Sequence, residues 1–272
     1  MSITKIVSIK KIIVDFMSLI KKNEIFLLEE IVKKNFTSKY KDSILGIFWT
    51  FLSPLLMIAL FTIIFSTLFK QRIANFPVYF LCAWCVFMFF TNSISSSMDS
   101  LRLNKNILQR TPAPKHIFVL GSIISEFLNF IITLIILVGV MIITHQTFYW
   151  STIPFLIIPI ISLLIMVSGL GLIVSIACIY YTDIRHLWTV LSMMLMYASV
   201  IFYPITIIPQ PYQSYICLNP VYWAIGEFRC CVLYAIIPPV SNMLNLFLLA
   251  LIILVFGIII FKKYEKRITM KF

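Results

Sequence analysis

Hydrophobic residues in this chain are gathered into long runs that contain no charged side chain. A membrane-spanning helix needs about 20 apolar residues, because about 30 Å of hydrocarbon is crossed at about 1.5 Å per residue. Five such runs cover residues 43–69, 73–98, 127–182, 187–226 and 230–261. The third run is long enough for two spans, and each of the others holds one. The pattern predicts an all-α membrane domain, 43–262, with six spans at about 44–69, 76–97, 117–144, 152–180, 187–205 and 240–261.

The segment before the first span, 1–42, has a different pattern. Apolar residues recur at helical spacing from Ile25 to Phe36, and glutamate and lysine residues stand between them. This spacing predicts an amphipathic helix that lies in the cytoplasmic interface of the membrane. An ordinary solvated helix is the alternative interpretation.

Two segments between spans also differ from plain loops. The segment 98–116 is short, amphipathic and basic, and ends at Pro112 and Pro114. It predicts a cytoplasmic helix on which a partner subunit can push. The segment 206–233 is too apolar for a loop and too rich in proline for a span, so it predicts short re-entrant helices in the outer leaflet. Such backbone is tolerated only where it is buried in protein or lines a cavity, and we expect it to form an outer gate.

The distribution of charge sets the orientation. Hydrophobic residues make up 61% of the chain and charged residues 12%, whereas soluble domains have about a quarter charged residues. Nine lysines and arginines precede the first span, four lie between the second and third, one lies between the fourth and fifth, and five follow the last span from Lys262 onward. Because basic residues favour cytoplasmic loops, both the N-terminus and the tail, 263–272, are predicted to be cytoplasmic. The net charge of +12 then reflects topology and anionic lipid headgroups, not nucleic acid.

The sequence shows no chemistry of its own. No G-x-x-x-x-G-K-[ST] phosphate loop is present, and the three histidines fall in separate loops or helix ends. We therefore predict no catalytic residue, no metal and no cofactor bound by this chain. A disulfide among the outer cysteines is compatible with the pattern but is not required by it. Glu126 is either immersed in the membrane or placed at its interface, and the sequence leaves both open.

Aromatic and hydroxyl side chains near or within the spans suggest a path for a glycan, because rings stack on the apolar faces of sugars. The alternatives are lipid-facing or packing roles for the rings and helix–helix hydrogen bonds for the hydroxyls. The predicted path residues are Trp49, Phe87, Phe90, Ser93, Ser96, Tyr197 and Tyr203.

Several motifs together resemble one family. The stretch KKNFTSKYKDSILGIFWTFLSPLLM, residues 33–57, combines a basic-Tyr-basic step with Leu-Gly, Trp and Pro. A second motif is GLGLIVSIACIYYTDIRHLW, residues 169–188, and a third is Asn219–Pro220 followed by Glu227–Phe228–Arg229. With its basic tail, the chain resembles the membrane subunits of type 2 ABC exporters that move lipid-linked polysaccharides such as O-antigen, capsule and teichoic acid.

The resemblance implies a set of partners and a location. The chain would form a homodimer in the bacterial cytoplasmic membrane, and two copies of a separate ATP-binding subunit would hold ATP and Mg²⁺. The substrate would be a polysaccharide or teichoic-acid-type polymer on undecaprenyl diphosphate. Membrane lipids would surround the complex, and no nucleic acid would bind.

The resemblance also implies roles for particular residues. A pairing of Glu227 with Arg229 is plausible from sequence proximity. The residues expected near the substrate headgroup are Lys39, Lys41 and Arg185. Those expected to couple to the ATP-binding subunit are Asp99, Arg102, Lys105 and Arg110. Those of the outer gate are Asn219, Pro220, Glu227 and Arg229.

Three alternatives remain at this point. Another type 2 ABC permease, carrying a drug, peptide or lipid, has the same partners but a different cargo. A membrane-embedded transferase needs a cluster of acidic or histidine side chains, which the sequence does not offer. A structural scaffold would not stimulate nucleotide hydrolysis by any partner.

Overall fold

The computed structural model describes residues 22–40, 46, 48–65, 73, 75–110 and 113–271, and these residues are almost entirely helical. The first helices are α1 Lys22–Tyr40, α2 Phe48–Ile63, α3 Phe76–Leu103, α4 Lys105–Arg110 and α5 Lys115–Ile143. They are followed by α6 Ile157–Tyr180, α7 Ile184–Ala198, α8 Gln210–Ile216, α9 Pro220–Val232 and α10 Val240–Lys271. Short 3₁₀ helices at Ile153–Leu156 and Ile205–Ile207 precede α6 and α8.

Four helical stretches among the described residues are long and apolar enough to cross a membrane. They are Phe76–Leu103, Lys115–Ile143, Ile153–Tyr180 and Val240–Glu265. Helix α2 is apolar but has only 16 residues, and α7 has 15. The described residues thus confirm a helical, multi-pass membrane protein, and the prediction of six spans stays a prediction.

Helix α3 forms the centre of the molecule. Phe80, Leu81, Cys82 and Ala83 have no exposed surface, and α5, α6 and α9 all pack against this helix. The helix continues to Leu103, beyond the span limit of residue 97 suggested by the sequence. Its polar end stays helical because the hydroxyls bond back to the helix's own carbonyls, as Ser97 Oγ does to Ser93 O at 2.7 Å.

Helix α3 ends at Leu103 and is followed by Asn104, whose Nδ2 donates to Ser100 O at 2.7 Å. After this break, α4 packs its buried Leu108 against the core. Arg102, near the end of α3, and Arg110, at the end of α4, are both exposed. The segment predicted to couple to a partner is therefore the exposed end of the central helix plus one short helix.

Helices α6 and α10 cross at two glycines. A Cβ atom on Gly169 would lie 2.7 Å from the carbonyl carbon of Ile253, and a Cβ on Gly257 would collide with the backbone of Gly169. Small residues of this kind let two helix backbones approach closely within a membrane. This crossing fixes the last helix against the core.

Helix α1 packs along α5 in a similar way. A Cβ on Gly121 would lie 2.6 Å from Cγ2 of Ile31, and Ile31 is buried. The opposite face of α1 is exposed and includes Phe26. The N-terminal helix expected from the apolar spacing is thus present and is held against the helical core.

Candidate functional site

A polar cavity of about 300 Å³ lies between α1, the end of α3 and the start of α5. This is the end of α3 that is predicted to be cytoplasmic. Hydroxyl and amide groups from all three helices line the cavity, among them Ser38, Ser96, Ser100, Asn104, Ser122 and Asn129. Groups of this kind bind sugar hydroxyls and phosphate oxygens well, because each can donate or accept a hydrogen bond.

Glu126 lies at the centre of this cavity wall and is only 8% exposed. Its carboxylate accepts hydrogen bonds from Lys39 Nζ at 3.2 and 3.3 Å, from Ser96 Oγ at 3.0 Å and from Asn129 Nδ2 at 3.0 Å. A buried carboxylate is stable only with partners such as these. Glu126 is therefore buried within the protomer at the cavity wall, and it joins α1, α3 and α5.

Two further contacts hold α1 beside the cavity. Lys34 Nζ donates to Asn104 Oδ1 at 2.8 Å, which ties α1 to the break between α3 and α4. Asn35 Nδ2 donates to Ser122 Oγ at 3.4 Å on α5. Helix α1 thereby touches both the cavity and the segment that is predicted to meet the ATP-binding subunit.

Asp99 and Arg185 form an ion pair that links α3 to the start of α7. Both side chains are partly exposed, at 42% and 34%. One turn further along α7, Trp188 Nε1 donates to Ser95 Oγ at 2.9 Å. The structure thus brings together one residue predicted for coupling and one predicted for the headgroup, which sequence spacing did not suggest. Lys41 lies outside the described residues.

Five of the seven residues predicted for a translocation path fall into two groups, and the other two, Ser96 and Tyr203, are half-buried. Phe87, Phe90 and Ser93 are buried within the protomer, at 3%, 4% and 0% exposure. Trp49 and Tyr197 are exposed, at 46% and 55%, while Ser96 borders the polar cavity. Within one protomer, the first group packs against other helices. A role in a translocation path stays a prediction for all seven residues. Of the two groups, the exposed one, Trp49 and Tyr197, has the accessible surface that such a path requires.

A second polar cluster lies at the opposite end of α3 and centres on Arg229 of α9, which is only 6% exposed. Its guanidinium donates to the carbonyl oxygens of Tyr79 at 3.3 Å, Val200 at 3.0 Å and Ile201 at 2.9 Å. Its Cζ lies 3.6 Å from the centre of the Tyr79 ring, a cation–π distance. Arg229 therefore joins α9, α3 and the turn after α7.

Asn219 and Tyr203 complete this second cluster. Asn219 caps α9 by accepting from Val221 N at 3.0 Å and donates to Ser199 Oγ at 2.9 Å. Pro220 follows it in the first turn of α9, where a missing N–H costs nothing. Tyr203 accepts from Tyr79 Oη at its carbonyl and donates its own hydroxyl to Tyr197 O, both at 2.9 Å. The outer segment is in this way fastened to the end of α7.

Glu227 and Arg229 do not pair. Glu227 is 4% exposed, and neither carboxyl oxygen has a hydrogen-bond partner in the described part of the chain. The physical reason is helical geometry, since residues two apart in a helix point in different directions. The sequence places the two residues as neighbours, but α9 directs Arg229 alone towards Tyr79.

No group of three or more potential metal ligands occurs among the described residues. The six cysteines are free thiols in this structure.

The chain is similar in sequence to known membrane transport proteins. The family model described as ABC-2 type transporter matches residues 27–233. An O-antigen export system permease protein RfbA of Klebsiella pneumoniae is 25% identical over 209 residues, 75% of this chain and 78% of that protein. A polysialic acid transport protein KpsM of Escherichia coli is 20% identical over 241 residues, 88% and 93% of the two chains. A capsule polysaccharide export inner-membrane protein CtrC of Neisseria meningitidis is 20% identical over 248 residues, 89% and 90%.

Proposed function

The chain belongs to the ABC-2 type transporter family, and from that premise we propose that it is the permease of an ATP-driven exporter of a lipid-linked polymer. Two copies of the chain and two ATP-binding subunits form the exporter. The cargo is a polysaccharide or teichoic-acid-type polymer carried on undecaprenyl diphosphate, and it crosses the bacterial inner membrane. The relatives whose names mention O-antigen, capsule and polysialic acid support this class of cargo.

The polar cavity is the observation that carries the proposal. Its hydroxyl and amide groups suit the first sugars of the polymer, and Lys39 at its edge suits the diphosphate. Lys39 is partly exposed and is held by Glu126. An arriving diphosphate therefore replaces Glu126 as the anionic partner of Lys39. Ser96 and Asn129 still donate to the Glu126 carboxylate.

ATP hydrolysis takes place on the partner subunit, because this chain has no phosphate loop. The partner docks on the exposed end of α3 and on α4, around Arg102, Lys105 and Arg110. The Asp99–Arg185 ion pair connects this docking surface to α7. A push on α4 is thereby passed to a helix that runs towards the outer cluster around Arg229.

A second copy of the chain covers α7 and α2. None of the 15 residues of α7 is buried within the protomer, and one face of α2 exposes Trp49, Leu56 and Leu60. In a homodimer these faces line the space between the two copies. The exposed rings of Trp49 and Tyr197 then border the path of the glycan.

Deletion of the gene tests the proposed function. We expect the lipid-linked polymer to accumulate on the cytoplasmic side while polymer disappears from the cell surface, and the intact gene to restore export. A permease for a drug, a peptide or another lipid predicts normal surface polymer and no accumulation, and that outcome would replace the proposal. A transferase predicts loss of the polymer itself.

The headgroup role is tested by changing Lys39 and Lys41 to glutamine. Export should fall at least tenfold while the complex with the ATP-binding subunit still assembles, because a charged contact to the diphosphate is lost. The matched control is Lys263→Gln, an exposed lysine on α10, which should leave export unchanged. Normal export by the Lys39/Lys41 variant would contradict the headgroup assignment.

A further inference from the structure

An apolar groove of about 440 Å³ lies beside the polar cavity, on the neighbouring faces of α1 and α5. Its walls are Leu28, Val32 and Phe36 of α1 and Ile124 and Leu128 of α5. Phe36 lines both the groove and the polar cavity. The two spaces therefore adjoin, one apolar and one polar, with a single aromatic ring at their boundary.

The groove is suited to a hydrocarbon chain. Leu128 is 37% exposed, so the groove is open along α5, a helix that is apolar and long enough to cross a membrane. An apolar groove that opens towards the membrane is filled more favourably by a hydrocarbon chain than by water. The occupant is thus a lipid tail rather than a soluble molecule.

Charge at the rim distinguishes one kind of lipid from another. Lys33 and Glu29 line the groove one turn apart on α1, and Lys33 has no ion pair within the described residues. Lys33 and Lys39 are six residues apart, about 9 Å along the helix. A diphosphate at the Phe36 boundary has a lysine on each side, Lys33 at the groove and Lys39 at the cavity, once Lys39 exchanges Glu126 for the phosphate.

The cavity beyond Phe36 also favours a glycolipid. It has a volume of about 300 Å³ and a wall of hydroxyl and amide groups, together with the carboxylates of Asp99 and Glu126. A simple phospholipid offers one phosphate and a small headgroup to this space. A lipid diphosphate that continues into a sugar matches the groove, both cations and the cavity in sequence.

We propose that the α1–α5 groove binds the first part of the substrate's polyprenyl chain and that the substrate is loaded with its diphosphate at Phe36 and its first sugar in the polar cavity. This inference rests on the proposed function for the identity of the lipid. It adds a binding site for the hydrocarbon part and a role for Lys33.

Leu128→Trp is the test, because an indole at this half-exposed position fills the groove without entering the core. We expect binding of undecaprenyl diphosphate to the purified permease–ATPase complex in nanodiscs, measured by native mass spectrometry, to fall at least tenfold. Binding of phosphatidylglycerol in the same sample should change less than twofold. The control is Ile135→Trp, two turns further along the same helix and 60% exposed, which should bind both lipids normally.

A second variant, Lys33→Gln, does not alter packing and so remains informative if the tryptophan variant fails to fold. It should weaken undecaprenyl diphosphate binding about tenfold and undecaprenyl monophosphate less. Unchanged binding in both variants overturns the inference, and an equal loss of phosphatidylglycerol overturns it in favour of an ordinary phospholipid site. The proposed function fails separately, if cells lacking the chain still export their lipid-linked polymer.

Discussion

The two polar clusters of this protein lie at opposite ends of α3 and are built from different partners. Tyr79 and Ser96, which belong to the two clusters, are 17 residues apart on this helix, about 26 Å. At one end, Glu126 is held by the side chains of Lys39, Ser96 and Asn129 beside an open cavity. At the other end, Arg229 is held by backbone carbonyls and an aromatic ring.

The difference separates an exchangeable contact from a fixed one. The Lys39 side chain is 44% exposed, so its ion pair with a carboxylate is weak. It can therefore exchange that carboxylate for a phosphate at little cost. A guanidinium buried among carbonyls has no such exchange available, because each carbonyl would be left unsatisfied. We infer that the Glu126 end binds and releases, while the Arg229 end holds α3, α7 and α9 together.

The largest expected effect comes from Arg229→Met, which tests the fixed end. Loss of the guanidinium leaves three buried carbonyl oxygens without this donor and should cost about 3–4 kcal/mol of folding stability. Thermal unfolding of the purified permease in detergent should show a fall of several degrees in Tm. Arg229→Lys should also be destabilised, because an ammonium group cannot reproduce the planar fork and the stacking on Tyr79.

The control for this prediction is Arg267→Met, an exposed arginine near the end of α10, which should leave Tm unchanged. Equal Tm values for the Arg229 and Arg267 variants would mean that Arg229 does not hold the helices together.

The contacts of Arg229 also show which features of the fold can be predicted from local sequence patterns and which cannot. Hydrophobic runs predict helices and their approximate limits because span length is a local property, and α3, α5, α6 and α10 contain the corresponding runs. Arg229 meets Tyr79 and Val200 across 150 and 29 residues. No local pattern identifies such partners, so the sequence placed Arg229 in an outer gate without finding its bonds.

The sequence predicts only part of the polar cavity, for the same reason. Lys39 and Glu126 were each singled out, but they are 87 residues apart in the chain and their contact depends on the packing of α1 on α5. The sequence predicts that the second span ends at residue 97, before the charged Asp99, whereas α3 continues to Leu103. Hydroxyls near this end bond within the helix, as Thr91 Oγ1 does to Phe87 O at 3.0 Å.

Glu126→Ala tests the exchangeable end and should have a smaller effect on stability. It removes the acceptor of three side chains, but Lys39 is already partly exposed and the cavity admits water to Ser96 and Asn129. We expect a loss of about 1–2 kcal/mol, measured by the same thermal unfolding. A loss as large as that of Arg229→Met would mean that the Glu126 cluster is as fixed as the other.

Asn219→Ala should cost about 1 kcal/mol, because it removes the cap of α9 as well as the hydrogen bond to Ser199. Asn219→Asp separates these contributions, since aspartate still accepts from Val221 N but donates nothing to Ser199 Oγ. Thermal unfolding of the two variants should therefore place Asp between wild type and Ala. A fully wild-type Tm for the alanine variant would show that Arg229 alone fastens the outer segment.

The smallest expected change in stability is for Asp99→Asn, which breaks the ion pair with Arg185. Both partners are partly exposed, so the pair contributes about 0–1 kcal/mol, and Tm should be nearly unchanged. Export should nevertheless fall severalfold, because the pair connects the docking surface to α7 and holds no other element of the core. The exchanged variant Asp99→Arg/Arg185→Asp should recover export in part. Full export by Asp99→Asn would show that the ion pair is a passive surface contact, and coupling would then have to run through the contact of Lys34 on α1 with Asn104 at the end of α3.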